Sequence, residues 1–296
     1  CLGLTSPALC WNEQGHFLVA RLAWYRLSPE ERIAASRILR AHPHFEEYLT
    51  AERPVGTPMN EWAFMRAAYW PDWIRSNHSE EYSKPAWHYV VAAFVPPQSR
   101  FDASAVHAEP PNVVSQIPAS VEKIRTGSDA EKAISLCWLI HLIGDIHQPL
   151  HCASLYTEAF PEGDRGGNLS LVRIDKGMPI RLHPTWDNLF GEATSLPAIE
   201  ETVRQLRELE PNCPEALQDV QNHKQPSEWA QEGFKSAKTY AYLDGDLMPA
   251  NSLLNPSEDL VPSISGEYLK HARTAADRAV IKAGQRLATS IRQALE

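Results

Sequence analysis

Residues 128–151 read SDAEKAISLCWLIHLIGDIHQPLH, and the fold class turns on this stretch. Ile134, Leu136, Cys137, Leu139, Ile140, Leu142 and Ile143 make it apolar on nearly every side. A helix over 128–147 therefore belongs at the centre of the protein, with no face reserved for water. Pro149 stops it, because proline has no N–H to give and its ring collides with the preceding turn. Into this apolar surface the chain sets His141 and Asp145, four residues apart and so on one face. Burying such a pair without a partner is costly. A hydrogen-bonded core pair would satisfy it, and so would a cation. His151 follows the break, where the turn can bring it back to the same region.

The pattern on both sides is also helical. Phe17, Ala20, Ala23, Trp24 and Leu27 recur at helical spacing through 13–27. Ser28-Pro29-Glu30-Glu31 supplies a cap, a proline at the first helical position and first-turn acids for the next helix, which ends near His42-Pro43. Further helices are expected over 58–75, 115–126, 184–191, 197–208 and 227–243. A last one over 266–295 carries Leu269, Ala272, Ala276, Ala279, Val280, Ala283, Leu287 and Ile291 on one face. Residues 155–182 differ: glycines and the alternation of 169–174 predict a loop with a small hairpin. The expected fold is all-α, one mainly helical domain over 11–296 with that small insertion.

The chain has 296 residues and no run of 18 apolar ones, so no membrane span is expected. The formal net charge of −9 argues against a protein that coats DNA, which needs a basic face. It does not argue against an enzyme whose bound cations supply positive charge locally. Residues 1–10, CLGLTSPALC, carry no charge and end in small residues. They read as the remnant of a secretory signal peptide cleaved after Cys10, giving a secreted or periplasmic protein. Removal would leave Cys137, Cys152 and Cys213, enough for at most one internal disulfide.

Twelve histidines are available. His183 and Asp187 repeat the four-residue spacing of His141 and Asp145, with Pro184 as a helix start that makes His183 a cap. Asp72 lies in Tyr69-Trp70-Pro71-Asp72-Trp73 and His88 in Trp87-His88-Tyr89; His16 sits on the first helix. Singly each has a plain reading, as turn residue, cap or surface residue. His147 faces away from the others. His42, His44, His78, His107, His223 and His271 lack partner spacing and read as surface residues.

In combination, Trp11-Asn12-Glu13-Gln14-Gly15-His16, Asp72-Trp73-Ile74-Arg75, Trp87-His88-Tyr89, His141 through His151, Gly166-Gly167-Asn168 and His183-Pro184-Thr185-Trp186-Asp187 resemble the S1/P1 nuclease family, in its order and with similar spacings. The resemblance implies a helical fold with three zinc ions in a cleft. It assigns Asp72, His88, His141 and Asp145 to the first zinc and His151, His183 and Asp187 to the second. The third would take His16, Asp145 as a bridge, and the amino nitrogen and carbonyl oxygen of Trp11, which requires that residues 1–10 be removed. Asp72, Arg75 and Asp145 would serve catalysis, Arg75 by neutralising phosphoryl charge rather than pairing with Glu80 or Glu81. Tyr89 would stack on a base, and Asn168 would contact the nucleotide or orient a ligand. Val90-Val91-Ala92-Ala93 offers no polar group where some members place a base-binding acid, so base preference is left open. The implied substrate is single-stranded DNA or RNA cut to 5′-nucleotides, with 3′-nucleotidase activity, and no obligate protein partner is indicated. A zinc phospholipase C shares fold and ligands and is the nearest alternative; a non-catalytic extracellular zinc protein is the other.

Overall fold

The computed structural model describes residues 11–77 and 79–296. The readings of residues 1–10 and of His78 lie outside the described residues. The helices are α1 (Glu13–Arg26), α2 (Pro29–Leu39), α3 (Met59–Ala67), α4 (Trp70–Asn77), α5 (Ser79–Tyr82), α6 (Val113–Thr126), α7 (Asp129–Asp145), α8 (Leu182–Asp187), α9 (Leu196–Leu209), α10 (Pro214–Asn222), α11 (Pro226–Ser236) and α12 (Gly266–Leu295). Local chemistry starts several of them. Ser28 and Ser128 both form capping boxes, with Glu31 and Glu131 returning to the cap N–H groups. Asn12 caps α1 by accepting from Gly15 N.

α7 is buried along its second half, with Leu136 through Asp145 all inaccessible to water. It lies among α1, α2, α3, α4, α6 and α12. α12 covers α1 with its alanine-rich face. A second apolar cluster, containing Leu155, Phe160, Val172, Trp186 and Tyr242, sits under the small sheet. That sheet holds the predicted hairpin, β3 (Ser170–Ile174) antiparallel to β4 (Pro179–Arg181). Two very short strands, β5 (Ala250–Asn251) and β6 (Ser263–Ile264), complete it on β3. Of the remaining strands, β1 (Ala93–Phe94) pairs in parallel with β2 (Ser154–Leu155).

Three expectations are corrected. The helix expected over 58–75 is broken into α3 and α4 at Ala68–Tyr69, just before Pro71. The helix expected over 227–243 ends at Ser236 and continues as one wide turn, Ala237–Ala241. His42 and His44, expected at the surface, are buried at 3% and 7% exposure. Trp70 packs edge-on against His42 and donates to His44 Nδ1, so an aromatic cluster replaces solvent around both rings. Cys137, Cys152 and Cys213 are all buried free thiols, so the one possible disulfide among them is not formed. Among the described residues no helix is long and apolar enough to cross a membrane.

Candidate metal centre

α7 presents His141 and Asp145 on one buried face, as their spacing requires. The break at Pro71 supplies the partner that orients His141. With the helix interrupted, Asp72 N–H bonds back to Tyr69 O, and the Ala68 carbonyl accepts from His141 Nδ1 at 2.7 Å. His141 Nε2 then faces Asp145 Oδ2 at 3.1 Å. His88 ends a single turn, Pro85–His88, and brings Nδ1 to 3.0 Å from the same oxygen. From α1, His16 stacks on His141 with ring centroids 4.1 Å apart, its Nε2 3.5 Å from Asp145 Oδ1. Gly144 makes that approach possible: a Cβ there would stand 2.8 Å from His16 Nδ1. Asp72, in the first turn of α4, joins His88 and His141, with one ligand atom from each lying within 4.8 Å of the others.

A second group forms alongside. His151, in the turn after Pro149, donates Nδ1–H to His88 O at 2.7 Å. His183 donates Nδ1–H to Gly166 O at 2.5 Å, and its Nε2 lies 3.5 Å from Asp187 Oδ2. His183 is inside the first turn of α8 rather than its cap, because β4 runs directly into the helix at Leu182. Gly166 has positive φ, and a Cβ there would stand 2.3 Å from Leu150 O, so only glycine lets this carbonyl reach His183. Asp187 Oδ1 accepts from Gln148 Nε2 at 2.8 Å, while its Oδ2 has no hydrogen-bond partner.

The donor set fits divalent cations. Three imidazoles spend Nδ1–H on backbone carbonyls, which fixes the tautomer and turns a lone pair on Nε2 inward, as metal-binding histidines require. His16 Nε2, His151 Nε2 and Asp145 Oδ1 are buried without hydrogen-bond partners, a cost a protein rarely accepts unless something else satisfies them. The electrostatics agree. Burial pushes Asp187 well above the usual carboxylate range, with only Gln148 opposing it and the Asp72 and Asp145 charges adding to it. Burial and the neighbouring His141 lower His16 to about 4; burial lowers His151 to about 4 as well, against the pull of Asp145. Asp145 goes the other way: burial would raise it, but His141, His16 and His88 together hold it well below its usual value. Burial thus disfavours the charged forms of His16, His151 and Asp187, while for His141 burial is outweighed by the Asp145 and Asp72 charges, which raise it.

Each side chain expected as a ligand is thus brought into one buried region. The first and second sets are gathered as expected, and His16 meets Asp145 as the third set needs. Trp11 is fully buried beside the start of α1, edge-on to Phe190 at 5.6 Å. Arg75 bonds Asp72 Oδ1 at 3.2 Å from one turn further along α4. Tyr89 follows His88 with 39% of its surface exposed, which a core tyrosine would not have. Asn168 is less favourably placed, since its amide donates to Arg165 O within its own turn. Gln148 was not singled out from sequence, although a glutamine between His147 and Pro149 at the end of an apolar helix is a signal of the same kind. His147 stands apart: its Nδ1–H goes to Ile143 O and its Nε2 accepts from Arg286. A fourth cluster, Asp219, His223 and Glu232, resembles a ligand set by proximity alone. Lys282 reaches Glu232 at 2.5 Å and Asp219 at 3.1 Å, and Arg286 also holds Glu232, so side-chain cations already neutralise it.

Comparison with known proteins finds similarity to nucleases. The chain is 26% identical over 200 residues to Endonuclease 4 of Arabidopsis thaliana, covering 64% of this chain and 58% of that relative. It is 25% identical over 253 residues to Endonuclease 3 of the same plant, covering 81% and 78%. It is 29% identical over 237 residues to Nuclease S1 of Aspergillus oryzae, covering 75% of each. The family model described as S1/P1 Nuclease matches residues 11–296, and the chain belongs to the S1/P1 nuclease family.

Proposed function

We propose that this chain is a zinc-dependent phosphodiesterase that hydrolyses single-stranded DNA and RNA to 5′-nucleotides, with 3′-nucleotidase activity at the same site. The observation that carries the reading is the set of eight buried His and Asp side chains drawn from six segments, three of them tautomerically locked by backbone carbonyls. Mixed imidazole and carboxylate donors suit zinc. Asp72, His88, His141 and Asp145 would hold one ion, His151, His183 and Asp187 a second, and His16, Asp145 and the Trp11 backbone a third. When bound, such ions supply a water of lowered pKa and positive charge for the phosphoryl and departing oxygens.

The chain's own residues do the rest. Asp145 gathers His16, His88 and His141 around one carboxylate. Arg75, which holds Asp72 Oδ1, places a guanidinium beside the grouped His and Asp side chains, where it would neutralise charge on phosphoryl oxygens. The exposed Tyr89 ring offers a stacking face, which favours unpaired bases because a duplex hides theirs. Residues 1–10 are read as a signal remnant of a secreted or periplasmic protein, and their removal would free the Trp11 amine.

The test is metal content together with hydrolysis of single-stranded DNA, on protein beginning at Trp11 and on protein retaining residues 1–10. The expected outcome is about three zinc per chain and activity in the trimmed form only. Asp145→Asn should lose metal and activity together. Zinc without nuclease activity would overturn the reading and direct assays to phospholipids.

A further inference from the structure

Asn12 does more than cap α1. Its Oδ1 accepts from Gly15 N at 3.0 Å, which is the cap. Its Nδ2 donates twice across the chain, to Asn188 Oδ1 at 2.8 Å and to Gly191 O at 2.5 Å. Its backbone N–H points at Asp187 O, 3.5 Å away. Two residues on, Gln14 Oε1 accepts from Ala193 N at 2.9 Å, and Trp11 packs against Phe190. The segment leaving Asp187 is therefore stapled over the first turn of α1, the turn that runs from Trp11 to His16. Helix capping alone needs only an acceptor. The two donor bonds are made to a different part of the chain, and they join the two ends of the metal centre: Asp187 of the second group, and the Trp11–His16 corner beside Asp145.

We propose that Asn12 is a positioning residue that couples these two groups, so that ion retention at either depends on the staple. The inference rests on the zinc reading above. It places least demand on Asp72 and His88, whereas His141 and Asp145 of the same set meet the α1 end of the staple through His16.

Serine separates the two jobs of Asn12. It caps a helix about as well as asparagine, but it is too short to reach Asn188 and Gly191 and has one donor only. The experiment measures zinc affinity and stoichiometry by competition with a chromophoric chelator, and thermal unfolding with and without zinc, for wild type, Asn12→Ser and Asn12→Ala. Asn12→Ser is expected to melt only slightly below wild type when zinc-free, because the cap is kept and the two lost bonds are exposed. It should lose affinity at two of the about three sites by roughly 10- to 100-fold, the usual effect of removing a partner that orients ligands. Its zinc-induced rise in melting temperature should shrink accordingly. Asn12→Ala should show the same zinc loss and also melt lower when zinc-free. The inference is overturned if Asn12→Ser retains all zinc, if it loses affinity at one site only, or if its melting falls equally with and without zinc. A wild-type protein that binds no zinc would instead overturn the underlying metal reading, and the coupling with it.

Discussion

His141, His151 and His183 share one habit: each gives Nδ1–H to a main-chain carbonyl, of Ala68, His88 and Gly166 respectively. That choice settles what the other nitrogen can do, because a neutral imidazole has one donor and one acceptor. The spacing of His141 and Asp145, and of His183 and Asp187, makes the pairs visible in sequence. The carbonyls that orient them are not visible, since they depend on a helix break at Pro71 and a left-handed glycine at 166. Arg75 stands at 16% side-chain exposure and holds Asp72, so its role can be tested directly by substitution. Arg75→Ala should lower kcat by about 10²- to 10³-fold on single-stranded DNA, the usual scale for losing a donor to transition-state charge. Zinc content measured alongside should stay at the wild-type level. A drop in zinc with the drop in rate would mean that Arg75 serves Asp72 rather than substrate.

At the scale of elements, the turn after α2 shows how packing overrides a weak sequence signal. His42 and His44 have no ligand spacing, yet they form an aromatic cluster with Trp70 beneath the start of α4, the helix that carries Asp72. Burial, with the neighbouring His44, lowers His42 to about 3. In the unfolded chain the same ring takes up a proton near pH 6.5. The native state therefore binds fewer protons than the unfolded state between these values, and stability falls as pH drops from about 6.5 toward 3. The slope from this one group reaches about 1.4 kcal/mol per pH unit. Urea unfolding of zinc-free protein at a series of pH values should show the decline, and His42→Gln should remove that share of it. An unchanged slope in the variant would mean that His42 is already protonated in the fold.

For the molecule as a whole, the candidate ligands come from α1, α4, the Pro85–His88 turn, α7, the turn after Pro149 and α8. Bound ions would tie together segments more than a hundred residues apart, and the described cysteines contribute no disulfide. Chelation should therefore act on global stability. A ligand at about a thousand times its Kd stabilises by about 4 kcal/mol, and each kcal/mol shifts the melting point of a chain this size by about 2–4 °C. Removing zinc should lower the melting temperature by on the order of 10 °C or more, read by circular dichroism, with recovery on adding zinc back. No change would mean that the apo site is stable by itself, in conflict with its unpartnered buried polar atoms. The net charge of −9 is consistent with a site at which bound ions would supply positive charge locally.

Helix content, the central place of α7 and the His–Asp pairs on single helix faces were legible along the chain. They follow from periodicity and from the cost of burying His and Asp in apolar surroundings, and both are local properties. The order of the motifs was enough to indicate the family. Other features were not local. Asp145 receives three imidazoles from three different segments, Ala68 O becomes available to His141 only through the break before Pro71, and Asn12 reaches across to Asn188 and Gly191. The burial of His42 and His44 and the two-residue strands β5 and β6 belong with them. Each depends on a contact between residues distant along the chain, and no pattern in a short window encodes which distant group will arrive.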